Sequence, residues 1–411
     1  MWKGGLLILL AATIAYLPAL NNNFIADDWV ILHRVDVLRV DPLYLSESVP
    51  ENFRFTSYLV FGLLKRLFGY DAAPYYIFNI LLHAVNCLLL SSIVRKVSGD
   101  VSTAWLGSAF FAVFQAPQEA VAWLAAMNET LSAFFVFLTV LFWFQRRHGL
   151  AGLSFIAAVY SKESAVMLIV LLPLVEWIRG QRPVWRDYWI LALPAALFSI
   201  FFLLTLSANF QVGQGTYVLS FRGALVLVKS LHRLFWPWGY LVIVAVIVSH
   251  RGQLSRRFLG WAALIPLAML PYIFVSYTSN IPSRQTYLAS AVFTPLLAAG
   301  ILSLNTKALR TGLAAAFLVF NTVYMWTVKD TQMEARALPT TALLEALREQ
   351  RPQEVRIRAF EYPVDLIAKG VAVSLPGWKW DQVDLADERC PGCLVLEWDR
   401  VKGTYSVLRN R

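Results

Sequence analysis

Residues 150–178, LAGLSFIAAVYSKESAVMLIVLLPLVEWI, decide how this chain is threaded. As one helix the stretch would be about 40 Å long at 1.5 Å per residue, too long for about 30 Å of hydrocarbon. It would also put Arg179, Arg182 and Arg186 on the side of the membrane opposite to the other basic clusters. As two short helices meeting at Ser161-Lys162-Glu163-Ser164, it keeps every cluster on one side. That reading sinks Lys162 and Glu163 into a cavity, where polar backbone is tolerated only if protein or water satisfies it. The two-helix reading is adopted here, and it places the C-terminal tail outside.

Working outward, the composition agrees with a membrane protein. Hydrophobic residues make up 58% of the 411 residues and charged residues 15%, with a mean hydropathy of +0.56. Soluble domains carry about 25% charged residues. Spans are expected at 4–20, 74–94, 101–116, 128–145, 150–161, 164–178, 188–206, 236–249, 258–275, 287–304 and 311–328, about eleven in all. The first segment has no clear small-residue cleavage site before Asn21, so it is expected to be a retained helix with a cytoplasmic N-terminus.

A net charge of +10 could suggest nucleic acid, but its distribution argues against that class. The tail from Lys329 onward has 13 basic and 13 acidic residues, so the excess lies in the apolar part. There it forms short clusters, Arg95-Lys96, Arg146-Arg147, Arg179/Arg182/Arg186, Arg251/Arg256/Arg257 and Lys307/Arg310, as cytoplasmic loops do. The short outer loops are nearly free of Lys and Arg, the exceptions being Lys162, Arg222 and Arg284.

This threading leaves three outer features. A loop runs from Asn21 to Ala73, in which Trp29–Leu38 and Phe55–Phe68 have the spacing of interfacial helices; Phe221–Phe235 has it too. A short loop runs from Pro117 to Asn128. The tail, residues 329–411, is expected to be a small α/β domain, with an amphipathic helix at Pro339–Gln350 and strands near Val355, Leu394 and Thr404. Cys390 and Cys393 are half a zinc site at most, and in an oxidising compartment a local disulfide suits them better.

Ionisable groups at the mouth of a membrane protein are functional candidates by default. Asp27 and Asp28 follow the first span and could cap the Trp29 helix or act as a base. Glu119 in the second loop could favour a helix dipole or assist the reaction. Asn79, His83 and Asn86 share a helix face, and hydrogen bonding between helices is the reading preferred for them. Lys162 and Arg284 could pair with Glu163, Asp27 or Glu119, or clamp a phosphate.

An ordered set of stretches carries a family resemblance: Phe24–Trp29, Phe53-Arg54-Phe55-Thr56, Tyr76–Asn86, Gln115–Trp123 with Asn128-Glu129, Ser161–Ser164 and Arg284–Tyr287. Across roughly residues 20–290 the chain resembles the GT-C superfamily of integral-membrane glycosyltransferases. That group includes protein O-mannosyltransferases and lipid A aminoarabinose transferases. Closest in wording is the O-mannosyltransferase branch that carries tetratricopeptide repeats, with its bacterial relatives. The family usually has His-Pro where this chain has Ala116-Pro117; the repeats are absent, and the tail matches no known pattern.

The resemblance implies an all-α polytopic membrane fold in residues 1–328 and a bacterial inner-membrane location with the site and tail on the periplasmic face. It implies a polyprenyl-phosphate-sugar donor, an acceptor of unknown identity and inversion at the sugar carbon. Asp28 or Asp27 would be the base and Glu119 the second acid. Arg54, His83, Lys162, Glu163, Arg284 and Tyr287 would contact substrate. No cofactor is required by this scheme, though two carboxylates could hold a divalent metal. The competing reading is a flippase for a lipid-linked glycan. The chain shows no internal repeat of its span pattern, and its outer charges collect on one side, which disfavours that reading.

Overall fold

The computed structural model describes residues 2–44, 53–205, 220–250, 256–274, 279–385 and 393–408, with the single positions 207 and 215. The decisive stretch breaks where expected. A helix His148–Val159 ends at Tyr160, a 3-10 turn Glu163–Met167 comes next, and a second helix runs Leu168–Ile178. The interrupted backbone is satisfied from within. Thr56 Oγ1 donates to the Tyr160 carbonyl at 2.9 Å, Lys162 N to Ala158 O at 3.0 Å, and Ser161 Oγ to Ala157 O at 2.7 Å. Exposed polar backbone would cost several kcal/mol per group in lipid, so this strapping is what permits the break.

Among the described residues, six helical runs are long and apolar enough to cross a membrane: Gly4–Asn21, Ala73–Ser98, Leu124–Phe144, Trp185–Leu204, Ser283–Leu302 and Lys307–Arg348. The pair Arg222–Phe235 and Trp238–Ile247, bent by 78°, makes a seventh if counted as one span. The expected eleven is therefore not reached by length and composition. The segments expected at 101–116, 150–161 and 258–275 fall on the shorter apolar helices Val101–Val113, His148–Val159 and Phe258–Tyr272. Close approach compensates for shortness. A Cβ on Gly107 would lie 2.6 Å from the Pro295 Cα, so the Val101–Val113 helix packs directly on its partner's backbone.

The first loop holds the two helices expected of it, Asp27–Val40 and Phe55–Phe68. The boundary at 328/329 is not a break in the chain. The last apolar helix, Lys307–Tyr324, passes through a π-helical turn at Met325–Lys329 into Asp330–Arg348. One 42-residue rod thus carries the tail. Such a turn inserts a residue into a helix and re-aims the turns beyond it.

The tail is a four-stranded sheet in the order β2-β1-β3-β4, with β1 Val355–Arg358, β2 Val383–Leu385, β3 Leu394–Asp399 and β4 Thr404–Leu408. β1 lies parallel to β2 and β3, and β4 is antiparallel to β3. Alternating burial along β1 gives it one core face. The helix Asp365–Val373 covers the sheet and docks on the first-loop helix, where His33 stacks on Trp380 at 3.8 Å. Cys393 is disulfide-bonded and Cys87 is a buried free thiol; Cys390 and Arg251 lie outside the described residues.

The tightest point of the docking is Gly370, where a Cβ would meet the Trp29 carbonyl oxygen at 2.8 Å. Gly370→Val is expected to prise the tail from the first loop, costing about 1–3 kcal/mol as overpacking does. Thermal unfolding and limited proteolysis of the purified protein would show it. Gly312→Val, at an open position, is expected to change neither.

Candidate active site

The short segment between the first span and the Asp27–Val40 helix is tied down by every element around it. Tyr76 donates to the Asn23 carbonyl at 3.1 Å, Thr340 of the tail rod to the Phe24 carbonyl at 3.2 Å, and Trp123 of the second loop to the Ile25 carbonyl at 3.3 Å. Asp28 is fully buried, and its two oxygens accept from the backbone amides of Ile25 at 2.7 Å and Ala125 at 2.5 Å. It therefore clasps the first loop to the second. Burial pushes its carboxyl well above the ordinary range, opposed by those two amides and reinforced by Asp27.

Ala26, just before the pair, has φ +44° and ψ −108°, a region that costs a residue with a Cβ about 1–3 kcal/mol. This kink turns Asp27 the other way. Asp27 is exposed, and among the described residues nothing hydrogen-bonds its carboxylate. It is reached by solvent yet crowded by protein, on a surface, the recess, within electrostatic reach of Arg284, Arg34 and Arg54. That enclosure raises its pKa, with Arg284, Arg34 and Arg54 pulling it back.

Glu119 forms the opposite side. Its Oε2 lies 3.5 Å from Arg284 Nη1 and accepts from the Arg284 backbone amide at 3.3 Å; its Oε1 accepts from Arg336 Nη1 at 2.8 Å. Burial raises its pKa, but the two guanidinium groups outweigh that and hold it below the usual carboxylate range. Arg284 also lies over the Trp123 ring at 4.9 Å.

The remaining expected residues divide. Arg54 forks onto Glu163, Nη2 to Oε1 at 3.1 Å and Nε to Oε2 at 3.4 Å, at the edge of the recess. Lys162 is 4% exposed and sits between Glu129 Oε1 at 3.5 Å and Glu163 Oε1 at 3.4 Å. Ion pairing, one of its two sequence readings, is present, and its charge is matched twice beside the helix break. His83 and Tyr287 bond each other at 2.6 Å inside the helix packing, with Asn86 Nδ2 donating to the Tyr287 hydroxyl at 3.2 Å. They are not brought to the recess.

Four residues at the site were not foreseen in this role: Arg233, Lys329, Arg336 and Tyr362. Tyr362 donates to the Arg336 carbonyl and feels the charges of Asp27 and Asp28. The signal available in the sequence was helical spacing, since Lys329 and Arg336 are seven apart and share a face. Among the described residues, no three His, Cys, Asp or Glu side chains converge as metal ligands. The Asp28 and Glu119 oxygens are engaged by amides and guanidinium groups, which leaves the Asp27 carboxylate as the unengaged one of the three.

No family model matches the chain, and no curated protein is significantly similar to it. Among solved structures it is similar to the archaeal oligosaccharyltransferase AglB from Archaeoglobus fulgidus, solved with an inhibitory peptide and a dolichol-phosphate. The TM-score is 0.51 at 11% identity, over 93% of this chain and 65% of that one. A second structure of the Archaeoglobus fulgidus oligosaccharyltransferase, tethered to an acceptor peptide, aligns at TM-score 0.45 and 11% identity over 87% and 62%. The chain spans about two thirds of its neighbour's length. The first likeness shows that the two chains share a fold.

The two aspartates should separate by experiment. Asp28→Ala leaves the Ile25 and Ala125 amides buried without an acceptor and is expected to cost about 2–4 kcal/mol. Asp27→Asn removes no hydrogen bond and should leave the unfolding temperature in detergent unchanged. Equal destabilisation by both would contradict this division.

Proposed function

We propose that the protein is an inverting glycosyltransferase that moves a sugar from a polyprenyl-phosphate-linked donor to an acceptor hydroxyl at the outer face of a bacterial inner membrane. Asp27 is its general base. The observation that carries this reading is the pairing of an unengaged, solvent-reached carboxylate with arginines across one recess, beside a carboxylate committed to structure. The dolichol-phosphate bound by the archaeal neighbour supports a lipid phosphate as the donor's anchor.

In the proposed step Asp27 takes the acceptor's hydroxyl proton as the acceptor oxygen attacks the anomeric carbon. The bond from that carbon to the phosphate oxygen breaks, and its electron pair leaves on the lipid phosphate. Negative charge moves from the acceptor to the phosphate, so fixed cations beside the phosphate stabilise the transition state more than the ground state. Arg54 and Glu163 form one wall; Arg284 faces both Asp27 and Glu119. In this assignment Asp28 supports the base instead of competing for its role.

Sugar transfer from radiolabelled polyprenyl-phosphate sugars by purified protein tests the reading. Asp27→Asn is expected to lower transfer by about 10²–10⁴-fold, the usual contribution of a positioned base, with donor binding retained. Normal transfer by this variant would remove Asp27 from the chemistry. Because the base must be ionised and its pKa is raised, kcat/KM should fall on acidification with a midpoint above the value of about 3.9 for an ordinary aspartate. Arg284→Gln removes the largest opposing charge, so it should move that midpoint higher still.

A further inference from the structure

The charge around Glu119 is not balanced. Two guanidinium groups, Arg284 and Arg336, already share its carboxylate. Arg233 reaches the same place from the Arg222–Phe235 helix, its Nη2 donating to the Ile281 carbonyl at 2.6 Å, three residues before Arg284. Among the described residues no carboxylate lies within ion-pair distance of Arg233 or Lys329. Lys329 feels the charges of Glu119, Arg233 and Arg336, and Arg233 feels Glu119. Two cations thus contact Glu119 and two more act on it from farther off, Lys329 with its Nζ on Gln332 Oε1 at 3.4 Å, and counting Asp27 against Arg284 still leaves an excess of about two charges.

The cluster also has a definite depth. Lys329 closes the apolar run of the last span, at the π turn. Arg284 lies in the 3-10 turn Ser283–Thr286, immediately before the helix Tyr287–Leu302, and Arg233 lies just before the bend between Phe235 and Trp238. All three stand at or near an end of an apolar helix, and the tail rod brings Arg336 to them. Arg233 and Arg336 are exposed to solvent.

We propose that Arg233, Arg284, Lys329 and Arg336 form the binding site for the terminal phosphate of a polyprenyl phosphate, and that Glu119 is the internal anion that holds these cations until the phosphate arrives. This rests on the glycosyltransferase reading for its choice of lipid. It assigns the tail rod a part in the site, through Arg336, and gives Glu119 a role other than orienting the acceptor. A surplus of two positive charges suits a phosphate monoester better than the diester of the donor. The site therefore favours the departing group over the bound sugar-phosphate, as transition-state stabilisation requires.

The test is binding of radiolabelled polyprenyl phosphate to the full chain in nanodiscs of neutral lipid. Arg336→Gln and Arg233→Gln are each expected to weaken binding by roughly tenfold, the size of one charge-assisted contact. Glu119→Gln removes the competing anion and should tighten it several-fold, a sign that a purely structural glutamate would not produce. Unchanged affinity in both arginine variants, or weaker binding by Glu119→Gln in a protein of unaltered unfolding temperature, overturns the proposal. Three competitors identify the ligand. Displacement by unlabelled polyprenyl phosphate but not by polyprenol supports it, and equal displacement by phosphatidylglycerol or by inorganic phosphate overturns the assignment to the lipid carrier. Binding of this pattern without sugar transfer to any acceptor would count against the transferase and keep the site. Transfer with binding indifferent to Arg233, Arg336 and Glu119 would do the reverse.

Discussion

The architecture of the recess depends on the Asp28 carboxylate. Buried and accepting two backbone amides, it joins a loop that follows the first span to one that precedes the fourth expected span. A carboxylate at such a place is tolerated only because both oxygens are engaged. Its neighbours close the set: three side-chain donors, from Tyr76, Trp123 and Thr340, cap three consecutive carbonyls. With the segment held at both its amides and its carbonyls, the unfavourable φ of Ala26 can be sustained. That torsion directs the next side chain, Asp27, into the recess while Asp28 points into the protein.

The same constraint explains why the tail is not an appendage. Thr340 belongs to the rod that continues from the last apolar helix, and it bonds the very loop that positions Asp27. Asn22 also reaches the rod, donating to Asp330 at 3.4 Å. A tail attached through a flexible linker would have to lose conformational entropy to make these contacts. A helix that runs unbroken through a π turn has most of that entropy removed in advance, so Arg336 is delivered in fixed register.

Much of this was legible in the sequence because hydropathy and charge are local quantities. The helix break at Tyr160–Glu163, the two interfacial helices of the first loop and the α/β character of the tail can each be read from a window of residues. The number of full-length spans cannot. A helix such as Val101–Val113 can be short because Gly107 lets it press on Pro295, and that partner is 188 positions away. The pairing of Lys162 with its neighbour Glu163 could be read from the sequence, whereas its second partner, Glu129, lies 33 positions away and could not. Arg336 escaped because its pairing with Glu119 spans 217 residues. Its membership of the charge-neutral tail also concealed it, as net neutrality says nothing about where individual charges are placed.

The contrast between the two loop carboxylates and the two ion-pair systems is what gives the recess its direction. On one side, Arg54, Glu163, Lys162 and Glu129 form a chain in which two cations meet two carboxylates. The charges of this chain balance within it. On the other, Glu119 is outnumbered by arginines. Asp27 lies between them with its oxygens unengaged, and Arg284 and Arg54 both act on it. In the proposed reaction the proton taken up at Asp27 and the charge developing toward Arg284 and Arg336 would be displaced in the same sense across the site. The protein's fixed field would favour that displacement without rearranging, which is the condition under which charged side chains accelerate a reaction instead of merely binding its reactants.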